Sequence, residues 1–196
     1  MKILIIIPFF NESKHIEKCL KSFINQSYKL NQIVLVDDQS SDDSLEIVKK
    51  YKKDNVKILQ TSASSERKPG KKVINAFNYG LSKIDVKQFD LIGKFDADII
   101  LTYEYFEKMV KAFKGNKNLG MCSGLLYIYQ NQRWIYENIS SKSKIRGPIK
   151  LYNVSCFHQI GGLKNCIGWD SIDQYLAKYY NWDTKVIKEI RVKHLK

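Results

Sequence analysis

Arginine is scarce in this chain. Arg67, Arg133, Arg146 and Arg191 are the only ones among 33 basic residues, which outnumber 20 acidic residues to give a formal net charge of +13. Base reading and bidentate phosphate clamping draw on the planar arginine fork. No RNP, zinc-finger or recognition-helix pattern accompanies the charge, so no nucleic-acid partner is expected. The lysines are spread along the whole chain and describe a solvated surface, with weak peripheral attraction to an anionic membrane as a secondary consequence. Cys19, Cys122, Cys156 and Cys166 show no CxxC spacing and no partner histidines. Cys19 falls on an apparent helix face and Cys122 in an apparent strand, which suits buried free thiols and a reducing, cytoplasmic setting. No apolar run is long enough to span a membrane. Lys2 and the run from Ile3 to Phe10 mimic a short signal peptide, but Pro8, Asn11-Glu12 and the lack of a small-residue cleavage site argue against one. Any membrane contact is expected to be peripheral, at the inner membrane surface. There is no internal repeat, no low-complexity tract and no sign of a second domain.

What is present is a run of strands alternating with helices. Lys2 to Ile7, Gln32 to Val36, Val56 to Leu59 and Leu91 to Phe95 read as apolar strands. Helical spacing appears from about Ser13 to Gln26, Asp42 to Lys53, Val73 to Lys83 and Tyr103 to Phe113. This alternation predicts an α/β fold with a mostly parallel central sheet and helices on both faces. The second half differs. Met121 to Tyr129 and Arg133 to Glu137 form a predicted hairpin, with Tyr127, Tyr129, Trp134 and Tyr136 pairing across it. Gly147 to Gly162 follows as a segment of unassigned structure. A helix from Asp170 to Tyr180 and a strand from Lys185 to Val192 come last. The length suits one domain.

Three apolar strands end in polar residues: Pro8-Phe9-Phe10-Asn11-Glu12, then Asp37-Asp38, then Asp96-Ala97-Asp98. Ligands of open parallel sheets bind beyond the carboxyl ends of the strands, so one site can use all three. Asp96 and Asp98 are i and i+2 and point the same way from an extended segment. Two acids so aimed repel unless a cation sits with them, and a hard divalent ion with oxygen ligands fits. Asn11 has a competing reading as a helix N-cap, with Glu12 favouring the same helix end. Ser40, Ser41, Asp42 and Asp43 are assigned to capping and the helix dipole.

This set of motifs resembles the family 2 inverting glycosyltransferases of the GT-A fold, a nucleotide-diphospho-sugar transferase-like architecture, over nearly the whole chain. The resemblance implies one catalytic domain over residues 1–196, with residues 1–100 binding the nucleotide sugar and residues 101–196 forming a smaller, antiparallel acceptor side. It implies that Pro8, Phe9, Asn11 and Glu12 contact the nucleotide and that Asp37 or Asp38 reads the base. Asp98 matches the direct metal ligand, and Asp96 the position near the ribose or the metal's water shell. Mn²⁺ and Mg²⁺ both suit carboxylate and phosphate oxygens. Lys71, at the end of the basic loop Arg67-Lys68-Pro69-Gly70, matches the family's Gly-Lys near the diphosphate; the alternative is a surface charge cluster. Gly161-Gly162 and Gly168-Trp169-Asp170-Ser171-Ile172-Asp173 resemble the acceptor-side motif, where many relatives carry adjacent acids and this chain has Trp169-Asp170. Asp170 is the expected general base, with Asp173 the competing choice or an acceptor contact. Trp169 either stacks on a sugar or packs in the core. His194 is a candidate third metal ligand, against the alternative of a frayed terminus. His15 and His158 receive no role.

The expected activity is metal-dependent transfer from a nucleotide sugar, a UDP-sugar by preference, to a saccharide or lipid-linked acceptor. A non-catalytic nucleotide-sugar-binding domain is the alternative. A sugar nucleotidyltransferase needs a Gly-rich, Arg-bearing loop after the first strand, which Pro8-Phe9-Phe10-Asn11-Glu12 is not.

Overall fold

The computed structural model describes residues 1–62, 71–166 and 168–196. The most apolar segment of the chain, β1 (Ile3–Phe9), is buried along its whole length. Such a continuous apolar run is what a strand covered on both faces requires. It pairs in parallel with β2 (Gln32–Asp37) on one side and β4 (Leu91–Phe95) on the other, and β2 pairs in parallel with β3 (Val56–Gln60). The side chains divide by parity. Ile3, Ile5, Ile7, Ile33 and Leu35 enter one core, and Leu4, Ile6, Val34 and Val36 enter the other. Helix α1 (Ile16–Ile24) turns Ile16, Cys19, Leu20 and Phe23 into the first core. There Phe23 meets Phe95 edge-on at 5.3 Å between ring centroids. Helix α3 (Lys71–Ser82) lies on the opposite face, and α2 (Ser44–Lys49) packs beside α1. A Cβ at Gly80 would stand 2.7 Å from Val36 Cγ2, so the absence of a side chain there lets α3 approach the sheet.

The second half extends the same sheet in mixed directions. The two-residue β5 (Ile99–Ile100) and helix α4 (Tyr105–Gly115) lead into β6 (Leu119–Gln130), which turns back as β7 (Arg133–Tyr136). The hairpin register sets Tyr127 opposite Tyr136 and Tyr129 opposite Trp134, as the alternation predicts. β8 (Ile149–Asn153) then inserts antiparallel between β4 and β6, and α5 (Val154–Gln159) follows at once. Helix α6 (Trp169–Tyr179) leads to β9 (Asp183–His194), parallel to β6 and antiparallel to β5. The strand order is β3-β2-β1-β4-β8-β6-β9-β5, with β7 on β6.

Three details depart from the sequence-based expectation. The segment from Gly147 to Gly162 holds a strand and a helix, hidden because Lys150, a charge, occupies a fully buried strand position. β9 runs to His194, which is 2% exposed and held in register opposite Ile99, so this end is not frayed. Helix α1 starts at Ile16 after His15, without a side-chain cap, so Asn11 does not cap it. Cys19, Cys122 and Cys156 are buried free thiols, and Cys166 is free and half-buried. Among the described residues no helix is long and apolar enough to cross a membrane.

Candidate active site

β1, β2 and β4 run parallel, so their carboxyl ends meet at one rim. Pro8, Phe9, Glu12, Asp38, Asp96 and Asp98 from these ends line a single cleft of about 370 Å³, closed on its far side by Lys72 of α3 and by Trp169. Asn11 takes a left-handed backbone conformation (φ 54°), which asparagine tolerates better than most residues. Its side-chain oxygen accepts from Ser41 N–H at 2.7 Å, and its own N–H donates to Ser40 Oγ at 3.0 Å. Asn11 therefore ties the first rim loop to the second. The two adjacent acids after β2 separate in role. Asp37 is buried and accepts from Ser40 N–H at 2.9 Å and Gln60 Nε2 at 3.2 Å, which fixes the loop. Asp38 faces the cleft, steadied by the Thr61 hydroxyl at 2.9 Å. Asp42 accepts from Ser44 N–H and Ser13 N–H, both at 3.0 Å. Burial acts to raise its pKa, but the Ser44 and Ser13 hydrogen bonds outweigh that and hold the carboxyl far below its ordinary range.

The carboxylates of the third rim do not act as a pair. Lys94 sits inside the apolar strand β4, 1% exposed, and its ammonium binds Asp96. Asp98 instead turns to His194, whose Nε2 lies 3.3 Å from Asp98 Oδ2. The pairing of β5 with β9 places them there: Ile99 is opposite His194, and Leu195 N–H donates to Asp98 O at 2.7 Å. On the other side of the ring, Nδ1 is 3.2 Å from Glu137 Oε2. Glu137 is itself buried against Lys196 Nζ (2.9 Å) and Arg146 Nη2 (3.3 Å). Burial opposes the charged form of His194, yet Asp98 and Glu137 raise its pKa above the ordinary imidazole value. Burial likewise pushes Asp98 up, and His194 more than reverses it. Glu12 has no such partner among the described residues. Burial, then the charges of Asp98, Asp96 and Asp42, push its carboxyl up to about 7.

Among the described residues Asp98 Oδ1 is buried with no hydrogen-bond partner. An orphaned carboxylate oxygen beside an imidazole nitrogen, with Glu12 kept reluctant to ionise nearby, is a donor set suited to a divalent cation. Among the described residues no three His, Cys, Asp or Glu side chains converge as a complete cage.

Lys94 and Lys150 face each other across the β4–β8 pairing. Each buried ammonium meets a carboxylate, a main-chain carbonyl and an indole. Lys94 has Asp96, Gly147 O at 3.2 Å and the Trp169 ring at 5.0 Å. Lys150 has Asp173 at 2.5 Å, Asp170 O at 3.0 Å and the same ring at 5.3 Å. Trp169 thus forms a wall of the cleft and at the same time covers both cations. Asp173, expected near the acceptor, is instead sealed in the interior, where it also accepts from the Tyr152 hydroxyl and from Gln174 N–H. Its position one turn into α6 points it at Lys150 rather than at solvent. Asp170 precedes it in the first turn of α6, half-exposed, with Lys144 Nζ at 3.5 Å. It adjoins the cleft through Trp169 and is not one of the cleft's own lining residues.

Lys71 opens α3, and Arg67-Lys68-Pro69-Gly70 lies outside the described residues. Lys72, Lys94, Lys150 and Glu137 carry much of the site's charge pattern and were absent from the sequence-based set. For Lys94 and Lys150 a signal existed, because each interrupts an apolar strand. Glu137 closes an ordinary hairpin strand and gives none.

The backbone superimposes on solved enzymes that share little of its sequence. A mannosyltransferase from Pyrobaculum calidifontis, in complex with GDP-Man and Mn²⁺, matches with a TM-score of 0.76 at 15% identity, over 99% of this chain and 56% of that one. TarS 1-349 of S. aureus in complex with UDP-GlcNAc matches with a TM-score of 0.74 at 20% identity, over 100% of this chain and 59% of that one. These likenesses establish the GT-A-like α/β fold. In sequence, the poly-beta-1,6-N-acetyl-D-glucosamine synthase of Staphylococcus aureus (strain COL) is 29% identical over 145 residues, 74% of this chain and 31% of that enzyme. The chain thus spans about a third of the length of this curated relative. The family described as glycosyl transferase family 2 matches residues 4–165, most of the chain and all three rim motifs. The chain belongs to glycosyl transferase family 2.

Proposed function

We propose that this chain is the catalytic core of an inverting glycosyltransferase that moves a sugar from a nucleotide-sugar donor, a UDP-sugar, to a saccharide or lipid-linked acceptor. The observation that carries the reading is the convergence of Glu12, Asp38, Asp96 and Asp98, from three strand ends far apart in sequence, on one cleft. In this reading residues 1–100 bind the nucleotide sugar and residues 101–196 build the acceptor side. Pro8 and Phe9 wall the nucleotide. Asp38 rather than Asp37 accepts from the base, since Asp37 is spent on its own loop. Asp98 and His194 would hold the divalent cation, Mn²⁺ or Mg²⁺, with Glu12 and Asp96 adding negative charge to the same cleft. A cation so held would offset the charge that grows on a departing diphosphate. Two structurally similar proteins support donor and metal: TarS was solved with UDP-GlcNAc, and the mannosyltransferase with GDP-Man and Mn²⁺.

Asp170 is the general base. It is the acceptor-side acid that solvent and substrate can reach, whereas Asp173 already neutralises Lys150. Asp170 takes the proton of the acceptor hydroxyl as the oxygen attacks the anomeric carbon in line. The bond from that carbon to the β-phosphate oxygen breaks, and the nucleoside diphosphate leaves with the electron pair. A lysine-rich exterior suits peripheral contact with an anionic membrane, where lipid-linked acceptors reside. The test is nucleotide release from a panel of UDP- and GDP-sugars with Mn²⁺, scored against Asp98→Ala. Release in wild type, and its loss in the variant, is expected; equal release from both refutes the metal assignment. A domain that only binds the donor would bind UDP equally well in wild type and Asp170→Asn and transfer with neither.

A further inference from the structure

We infer that Glu137 is the positioning residue for His194, holding the imidazole so that Nε2 faces Asp98 and the cation site. The inference rests on the metal-assisted reading above and concerns a residue outside the cleft. Glu137, the residue after β7, and His194, the last residue of β9, lie on opposite sides of β6. Glu137 N–H donates to Leu126 O, while His194 pairs opposite Ile128, two residues along. The Glu137 carboxylate reaches Nδ1 at 3.2 Å, leaving Nε2 on the Asp98 side at 3.3 Å.

A buried carboxylate is costly unless it is paired. Glu137 is 4% exposed, and Arg146 and Lys196 close around it at 3.3 and 2.9 Å. Both of its oxygens are therefore engaged by protein cations, so it does not serve as a metal ligand itself. What it does supply is an acceptor for Nδ1–H. That contact orients the ring, and in the neutral imidazole it favours the proton on Nδ1, leaving the Nε2 lone pair toward Asp98 and the cation site. The carboxylate that Nε2 faces through Oδ2 carries a second oxygen, Oδ1, that is buried and unpartnered among the described residues. A cluster that served stability alone would not need the imidazole between its two acids, nor would it leave one oxygen of the outer acid unpaired.

The test is Mn²⁺ affinity in the presence of UDP, read by electron paramagnetic resonance of free Mn²⁺, for wild type, Glu137→Leu and Glu137→Gln. A ligand-orienting contact is typically worth about 10–100-fold in metal affinity. Glu137→Leu is expected to lose that much, and Glu137→Gln, which keeps an acceptor oxygen, to lose less. A folded Glu137→Leu protein with wild-type Mn²⁺ affinity overturns the proposal and leaves the metal reading intact. A wild-type protein that binds no Mn²⁺ with UDP overturns the metal reading, and the proposal with it. If Glu137→Leu does not fold, nitrogen-15 spectra of metal-free wild type decide, at a pH where the ring is neutral. A proton on Nδ1 supports the proposal, and a proton on Nε2 overturns it.

Discussion

Replacing Lys150 by methionine removes one charge from a pair that has no access to water. Lys150 and Asp173 are 0% and 1% exposed and 2.5 Å apart, and the methionine chain fills nearly the same volume. What changes is that Asp173 becomes a buried anion with no countercharge in contact. Breaking a buried pair from one side costs about 3–5 kcal/mol. Asp173 retains the Tyr152 hydroxyl and Gln174 N–H at 2.8 Å, which places the loss at the lower end of that range. Asp170 O also loses a donor, and Trp169 loses one of its two cations. A loss of about 3–4 kcal/mol in a chain of this size lowers Tm by roughly 6–16 °C. Urea denaturation at pH 7, followed by far-UV circular dichroism, measures it. The double variant Lys150→Met/Asp173→Leu should be more stable than Lys150→Met alone, because no charge is left stranded. A Lys150→Met protein within 1 kcal/mol of wild type, or a double variant whose loss equals the sum of the two single losses, would refute the ion-pair account.

Asp38→Ala should weaken UDP binding by about tenfold, the worth of one hydrogen bond to a nucleobase, with little change in Tm. Asp37→Ala should do the reverse, because it frees the loop that Ser40 and Gln60 anchor; calorimetric titration and thermal melts separate the two, and an interchange of effects would reverse the assignment. Asp170→Asn should lower turnover by about 10²–10⁴-fold while UDP affinity stays within twofold, as expected of a base that binds no part of the nucleotide; retained turnover excludes it as the base. Glu12 has an ordinary value of 4.5 and a folded-state value of about 7. The folded state therefore holds this proton more tightly, and the stability it contributes is complete below pH 4.5 and lost as pH rises to about 7. Urea midpoints between pH 4.5 and 7.5 should fall in wild type more steeply than in Glu12→Gln, and equal slopes would refute the raised value.

The parallel half of the fold was legible because its physics is local. Strands buried on both faces are apolar throughout, and α1 and α4 repeat at helical spacing, so β1 to β4 and their helices fall near the expected positions. The family and the rim acids followed from the same runs, since the acids stand where the runs stop. The second half was less legible because its strands carry charges inside. Lys150 left β8 unassigned, and its partner Asp173 read as an acceptor-side acid, although the two neutralise each other in the interior. Neither residue reveals this alone, because the pairing is between β8 and α6 and has no sequence spacing to mark it. For Asn11 the competing reading as a helix cap is the one that falls away, because its left-handed backbone sends the side chain to Ser41 on the neighbouring loop. Asp37 and Asp38 are indistinguishable as letters and differ in which way the strand end faces them.

The seating of β9 between β6 and β5 bears on how the protein is made. Chains emerge from the ribosome in order, and segments can begin to fold as they appear. Asp98 and the three rim loops are synthesised well before His194, which reaches Asp98 only after β9 has slotted into the sheet. A nascent chain can thus shape the rim cleft early and still lack His194 beside Asp98. That contact waits on a late, long-range strand insertion, so damage to the β5–β9 pairing would be felt at Asp98.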